Sequence, residues 1–295
     1  MSAERGARNP DSVSFLNLWP GLFLARSARV WPEKLAVVYG DRSYSYSEFD
    51  ARVERLAGAL VANGVEAGDR VAYLVPNVPE MLEGHYGPMR MGAVLVAINT
   101  RLSSREVGYI VRHSGAKALV FDSEYADVVE AALGGVAPGV VERLGRDLPS
   151  LDPSRRREVQ RLSGDAHSVQ VLVEVVDESA PEPTPASGLF GAVEYENFLS
   201  SGEGVELPEI NRNELDTVAI DYTSGTTGEP KGVEYTGRGT YLNALSQVVD
   251  AGLNSSSAYL WTLPMFHCNG WCFPWAVTAV GGTHICLRRV VAEDV

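Results

Sequence analysis

The chain has 295 residues, 45% of them hydrophobic and 21% charged, and a formal net charge of −13. That acidity excludes sequence-independent binding to nucleic acid through a basic face and suits an enzyme with a small-molecule substrate. Three cysteines (Cys268, Cys272 and Cys286) make no disulfide framework, no apolar run approaches the ~20 residues that span a bilayer, and MSAERGARNPDSV has no signal-peptide core, so a cytoplasmic protein is expected.

Ser45-x-x-Glu48 is a capping box, in which each side chain satisfies the other residue's free backbone N–H. Behind it Phe49, Val53, Leu56, Ala57 and Leu60 share one helical face, and Gly64 marks the stop. DRVAYLVPN (69–77) predicts a buried strand, followed by a helix over about 79–91 and a strand at AVLVAIN (93–99). Ser103-x-x-Glu106 caps a further helix ended by Gly115, and KALVFD (117–122) is the next strand. This alternation predicts an α/β fold of parallel βαβ units, a layered sheet with helices on both faces.

From about 146 to 204 the pattern dissolves. DESAPEPTPASG (177–188) is rich in Pro, Ser and acid and cannot bury enough apolar surface to offset its ordering entropy. A flexible excursion within one domain is expected there, interrupted by a short strand, VQVLVEVV (169–176); a linker between two domains is the alternative. DTVAID (216–221) restores a strand, and THICLRR (283–289) is expected as another, left as an exposed edge.

Between 221 and 235 lies DYTSGTTGEPKGVEY. It is not a Walker A loop, because Lys231 follows Pro230 and VEYT continues as a strand rather than a helix. Gly237-x-Gly239 is followed by Leu242 where the dinucleotide fingerprint needs Gly or Ala. What remains is a loop between two strands carrying Thr223, Ser224, Thr226 and Thr227 with Gly225 and Gly228. Glycines let successive N–H groups converge on an anion, hydroxyls add donors, and Lys231 adds a point charge. A plain polar hairpin is the blander alternative for a stretch rich in Gly and Thr.

YTSGTTGEPKGV (222–233) resembles the phosphate-loop signature of the adenylate-forming superfamily, which includes the acyl-CoA synthetases. YSYSEFDARVERLAGAL (44–60), GDRVAYLVPNVPEM (68–81), the segment 91–122 and LPMFHCNGW (263–271) are similar to successive segments of those enzymes, in the right order. The resemblance implies an incomplete N-terminal AMP-binding domain. It implies ATP-dependent activation of a fatty or related carboxylic acid to an acyl-adenylate, then transfer to coenzyme A, with Mg²⁺ accompanying ATP. By the same resemblance Thr223, Ser224, Gly225, Thr226, Thr227, Gly228 and Lys231 hold the β- and γ-phosphates. His267 would lie at the carboxylate end of the acid pocket, and Asn269, Gly270 and Trp271 would shape its wall. Lys231 and His267 are the expected catalytic residues. Gly237 departs from relatives, which often carry His there.

HCNGWC (267–272) invites a zinc reading, but Cys-x3-Cys lacks a second ligand pair. A Cys268–His267 nucleophile pair is weaker still, since adjacent residues rarely present side chains to each other. Cys268 and Cys272 are expected as packing residues, and His85 and His113 as ordinary helix histidines. The family's Y-G-x-T-E stretch and its small C-terminal domain with the adenylation lysine are absent from these 295 residues, whose only lysines are Lys34, Lys117 and Lys231. The expectation is a fragment without full activity; the alternative is a non-catalytic remnant that binds a nucleotide, an acid or a partner protein.

Overall fold

The computed structural model describes residues 16–134, 167–180, 183–223 and 229–290. In chain order the strands are β1 (Leu35–Tyr39), β2 (Arg42–Ser45), β3 (Arg70–Leu74), β4 (Val94–Ala97), β5 (Ala116–Asp122) and β6 (Val171–Val175). They continue with β7 (Val193–Glu194), β8 (Thr217–Thr223), β9 (Lys231–Thr236), β10 (Ala258–Leu260) and β11 (Thr283–Ile285). The helices are α1 (Gly21–Val30), α2 (Tyr46–Ala62), α3 (Pro79–Gly84), α4 (Gly87–Arg90) and α5 (Ser104–Ser114). After them come α6 (Ala126–Ala132), α7 (Tyr195–Ser200), α8 (Gly237–Asp250) and α9 (Phe273–Ala279).

Seven strands form one sheet in the order β7-β6-β5-β3-β4-β8-β9, and four form a second in the order β10-β11-β1-β2. The larger sheet is parallel except for the antiparallel hairpin β8–β9. Its strands alternate between two cores, as a sheet covered on both faces requires. Val71 and Tyr73 of β3, Leu95 of β4 and Ala118 and Val120 of β5 join the large core shared with α2 and the second sheet. Ala72 and Leu74, Val96, and Leu119 and Phe121 face the smaller core under α5 and α6. The expected α/β architecture of parallel units is thus present.

Both capping boxes form. Ser45 Oγ accepts from the Glu48 N–H while the Glu48 carboxylate accepts from the Ser45 N–H at 2.7 Å, and Ser103 and Glu106 repeat the pattern at the start of α5. The helix expected over 79–91 is instead two, α3 and α4. Pro88 has no N–H to offer the Gly84 carbonyl, and its ring would clash there, so a continuous helix is excluded.

The excursion expected over about 146–204 falls in part on residues that cannot be compared with it. Residues 135–166 and 181–182 lie outside the described residues, and 183–188 form no helix or strand. β6, however, sits between β5 and β7 with all five residues buried, and α7 sinks Tyr195, Phe198 and Leu199 into the large core. Six residues are too few to show a helical period in sequence, which hid α7. The expected exposed edge at 283–289 also needs correction. β11 is interior, paired in parallel with β10 on one side and β1 on the other.

Candidate active site

The carboxyl ends of β3, β4, β5 and β8 share one edge of the larger sheet, the position where open α/β sheets hold ligands. There β8 and β9 form a hairpin whose last register pair is Thr223 with Lys231. The Thr223 hydroxyl donates to the Lys231 carbonyl at 3.5 Å, and the Lys231 side chain is exposed. Ser224, Gly225, Thr226, Thr227 and Gly228, expected to hold phosphate, lie outside the described residues. The stem below them is fixed by Tyr222, whose hydroxyl is 2.8 Å from His113 Nδ1 on α5.

A cleft of about 380 Å³ opens beside this stem. Its walls come from the end of β4 (Ala97, Asn99), from α5 (Ile110), from the hairpin (Asp221, Thr223, Val233, Tyr235) and from Phe266, His267 and Cys268. Thr223 and His267, separated by 44 positions in sequence, therefore meet at one cavity.

His267 introduces an unusual backbone. Cys268, Asn269, Gly270, Trp271 and Cys272 have φ of 49°, 47°, 54°, 55° and 64°, five consecutive left-handed residues. Such a turn costs about 1–2 kcal/mol for each residue carrying a Cβ. It persists only where its surroundings over-determine it, a pattern that clusters at functional sites. Here Asn269 is fully buried and its Nδ2 donates to Asp221 Oδ2 at 2.7 Å. The Gly270 N–H bonds back to the His267 carbonyl at 3.0 Å, and Cys272 N–H to Asn269 at 3.0 Å. The approach to the turn is pinned by Asn77, just beyond β3. Its amide donates to the carbonyls of Trp261 and Leu263 at 3.0 Å each and accepts from the Met265 N–H at 2.8 Å.

Asp221 is the least expected member of the cleft. It is 7% exposed, and among the described residues its sealed Oδ1 makes no direct hydrogen bond, with the Tyr235 hydroxyl a partner of the carboxyl beside Asn269. Burial pushes its carboxyl up to about 7, against the opposing pull of Tyr235 and Asn269. Cys268 Sγ lies 3.9 Å from His267 Nε2, so the adjacent side chains do approach. Burial nevertheless raises the Cys268 thiol, the reverse of what a nucleophile needs. Cys272 is buried, and no cluster of three His, Cys, Asp or Glu fit to hold a metal occurs among the described residues. Of the residues expected to wall the acid pocket, Asn269 and Gly270 are buried within the turn and Trp271 is 55% exposed, and none of the three lines this cleft.

Arg288 closes the other end of the strand edge. It donates to both oxygens of Asp122 at 2.7 and 2.8 Å, to Asp177 at 2.8 Å and to Glu124 at 2.9 Å, joining the second sheet to the loop after β5. Gly237, the expected departure from the family pattern, opens α8 under the Trp19 ring. A Cβ there would come within 2.8 Å of Trp19 Cε3, so a larger residue has no room. Sequence patterns single out neither Asp221, Tyr235, Asn77 nor Arg288. Each is one polar residue at a strand end or in a loop, and only the three-dimensional path of the chain brings it to the site.

The AMP-binding enzyme family model matches residues 24–295. The acetate/butyrate–CoA ligase AAE7 of Arabidopsis thaliana is 36% identical over 284 residues, spanning 96% of this chain and 46% of that protein. The 4-hydroxybutyrate–CoA ligase 2 of Metallosphaera sedula is 35% identical over 282 residues, again 96% of this chain and 46% of the other. The chain thus spans about half the length of these curated relatives. Among solved structures, the N-terminal domain of FACL13 from Mycobacterium tuberculosis superposes with a TM-score of 0.70 at 26% identity, over 95% of this chain and 59% of that one. With the family model covering nearly the whole chain, this protein belongs to the AMP-binding enzyme family.

Proposed function

We propose that the chain supplies the phosphate- and acid-binding part of an acid–thiol ligase. In that reaction a carboxylate attacks the α-phosphorus of ATP, giving acyl-AMP and pyrophosphate, and the thiol of coenzyme A then displaces AMP. The observation that carries the proposal is the meeting of Thr223 and His267 at one cleft, with Lys231 the register partner of Thr223. Negative charge crowds around phosphorus in the first step, so catalysis is mainly positioning and charge stabilisation. Lys231, exposed at the hairpin mouth and with no side-chain partner among the described residues, would bring a cation to the β- and γ-phosphates beside the donors expected of Ser224–Gly228. His267 stands where the acid's carboxylate would arrive, and the strained turn behind it fixes the histidine's backbone. Mg²⁺ would enter with the nucleotide's phosphates.

The acid is proposed to be short. The cleft volume and the acetate, butyrate and 4-hydroxybutyrate substrates in the names of the relatives support that choice. The three free cysteines support a reducing, cytoplasmic setting. The 295 residues by themselves are proposed to bind ATP and acid without completing acyl-CoA synthesis. The test is calorimetric titration with Mg-ATP, followed by a coupled assay for AMP release with coenzyme A and acids of two to eight carbons. Nucleotide binding without turnover is expected. Absence of nucleotide binding would overturn the proposal, and turnover would overturn its last part.

A further inference from the structure

We propose that His113 is a positioning residue for nucleotide binding: its imidazole holds the Tyr222 hydroxyl and so aims the phosphate loop that begins one residue later. The inference rests on the phosphate-binding role proposed above. Its ground is an overhang in the larger sheet. β8 pairs with β4 only as far as Asp221, opposite Ala97, so Tyr222 and Thr223 run past the end of β4 with β9 alone beside them. β9 is itself the edge strand of that sheet. Among the described residues, the hydrogen bonds that tie this overhang to the rest of the molecule pass through the Tyr222 hydroxyl. It lies 2.8 Å from His113 Nδ1 and has the Ser114 side chain as its second neighbour.

Three rings and a glycine make the clamp. Tyr109, one turn earlier on α5, stacks on the His113 ring with centroids 5.3 Å apart and planes at 23°, which restrains that ring. His113 in turn meets the Tyr222 ring edge-on, at 5.7 Å and 87°. On its far side the Tyr222 ring covers its register partner Gly232, where a Cβ would come within 3.3 Å of Cζ. α5 thus holds both strands of the hairpin one register pair below Thr223 and Lys231. The helix is a firm base, fixed by the capping box at Ser103 and by left-handed Gly115 just beyond His113. His113, expected from the sequence as an ordinary helix histidine, is exposed, so its replacement should cost the fold little. Binding is more demanding, because a functional constellation must be held within about 0.5 Å of its productive geometry. A hairpin tip released from α5 would have to be ordered by the nucleotide itself, at the expense of affinity.

The test is calorimetric titration of the 295-residue chain with Mg-ATP, beside its melting temperature without nucleotide. His113→Ala and Tyr222→Phe should each weaken binding by about three- to tenfold, the worth of one hydrogen bond, and the double variant should lose no more than either alone. His113→Asn, whose side-chain amide can take the place of Nδ1, should recover most of the loss; a ring needed only for packing would not be rescued by this smaller side chain. The melting temperature of His113→Ala should stay within about 2 °C of the parent. Parental affinity in His113→Ala overturns the proposal, as does His113→Asn binding no better than His113→Ala, or single losses that multiply in the double variant. A melting temperature that falls along with affinity makes the role structural and overturns it too. All four results leave the phosphate-binding role standing. Failure of the parent chain to bind Mg-ATP removes that role and this inference together.

Discussion

The backbone of Gly202 lies directly against that of Gly58, with no side chain between α2 and the turn that follows α7. A Cβ on Gly58 would fall on the Gly202 carbonyl, and one on Gly202 would fall on the Arg55 carbonyl and the Ala59 N–H. This contact locks the late segment onto the first long helix. Gly58→Ala must push the two apart, and a cost of about 1–3 kcal/mol is expected from overpacking. Urea unfolding with an unchanged midpoint would show that the contact is looser than described.

Arg288→Leu is expected to cost more. The substitution leaves Asp122 and Asp177 facing one another without their shared cation, and removing one partner of a buried ionic cluster typically costs about 3–5 kcal/mol. The Asp177 carboxylate would keep the Tyr39 hydroxyl at 2.6 Å, the Ser179 N–H at 3.0 Å and the more distant Arg42. The measurement is the denaturant midpoint; a shift equivalent to under about 1 kcal/mol would place the cluster among weak surface pairs.

Two sets of buried groups give stability opposite pH slopes. Burial holds His85 at about 4 and His284 at about 3, so both fold as neutral rings. Their contribution is complete above the unfolded value of 6.5 and is lost as pH falls toward the folded values, at about 1.4 kcal/mol per unit for each ring. Asp221 runs the other way. Its folded value of about 7 lies above the ordinary carboxylate value of 3.8, so stability is complete below 3.8 and declines as pH rises to about 7. Asp221→Asn should therefore raise the melting temperature relative to the parent at pH 8, with the gap closing near pH 4. A gap independent of pH would sink this assignment.

Lys231→Ala should weaken Mg-ATP binding by at least about tenfold, because neutral donors cannot replace its charge at the phosphates. Lys231→Arg should restore binding in part. Since the side chain is exposed, the melting temperature without nucleotide should stay within about 1 °C of the parent. Unchanged ATP affinity in the alanine variant would remove Lys231 from the site.

Local signals carried the sequence expectations as far as local physics reaches. The capping boxes at Ser45 and Ser103 are satisfied within four residues, so α2 and α5 were legible, as were the buried runs that became β3, β4, β5 and β8. Pro88 was a legible break that the expectation of one helix over 79–91 overlooked. The pairing of β11 with β1 was not legible, because parallel partners far apart in sequence leave no mark in either strand. The site divides in the same way. Thr223, Lys231 and His267 stood out by residue type and spacing, whereas Asp221 looked like the polar end of a strand until Asn269 was seen to reach it.

The pairing of Val37 and Val38 on β1 with His284 and Ile285 on β11 has a consequence for synthesis. During translation β1 and β2 can close as a hairpin almost at once, yet the other edge of β1 must wait until Thr283–Ile285 has been made. At about 5–20 residues per second that wait lasts on the order of tens of seconds. Throughout it, an apolar strand edge is open to any other nascent chain on the same message, a template for pairing that the finished fold conceals. The danger to this protein is therefore concentrated in the interval before β11 emerges from the ribosome. A synonymous change that slows decoding between β2 and β11 would lengthen the exposure without altering a single residue.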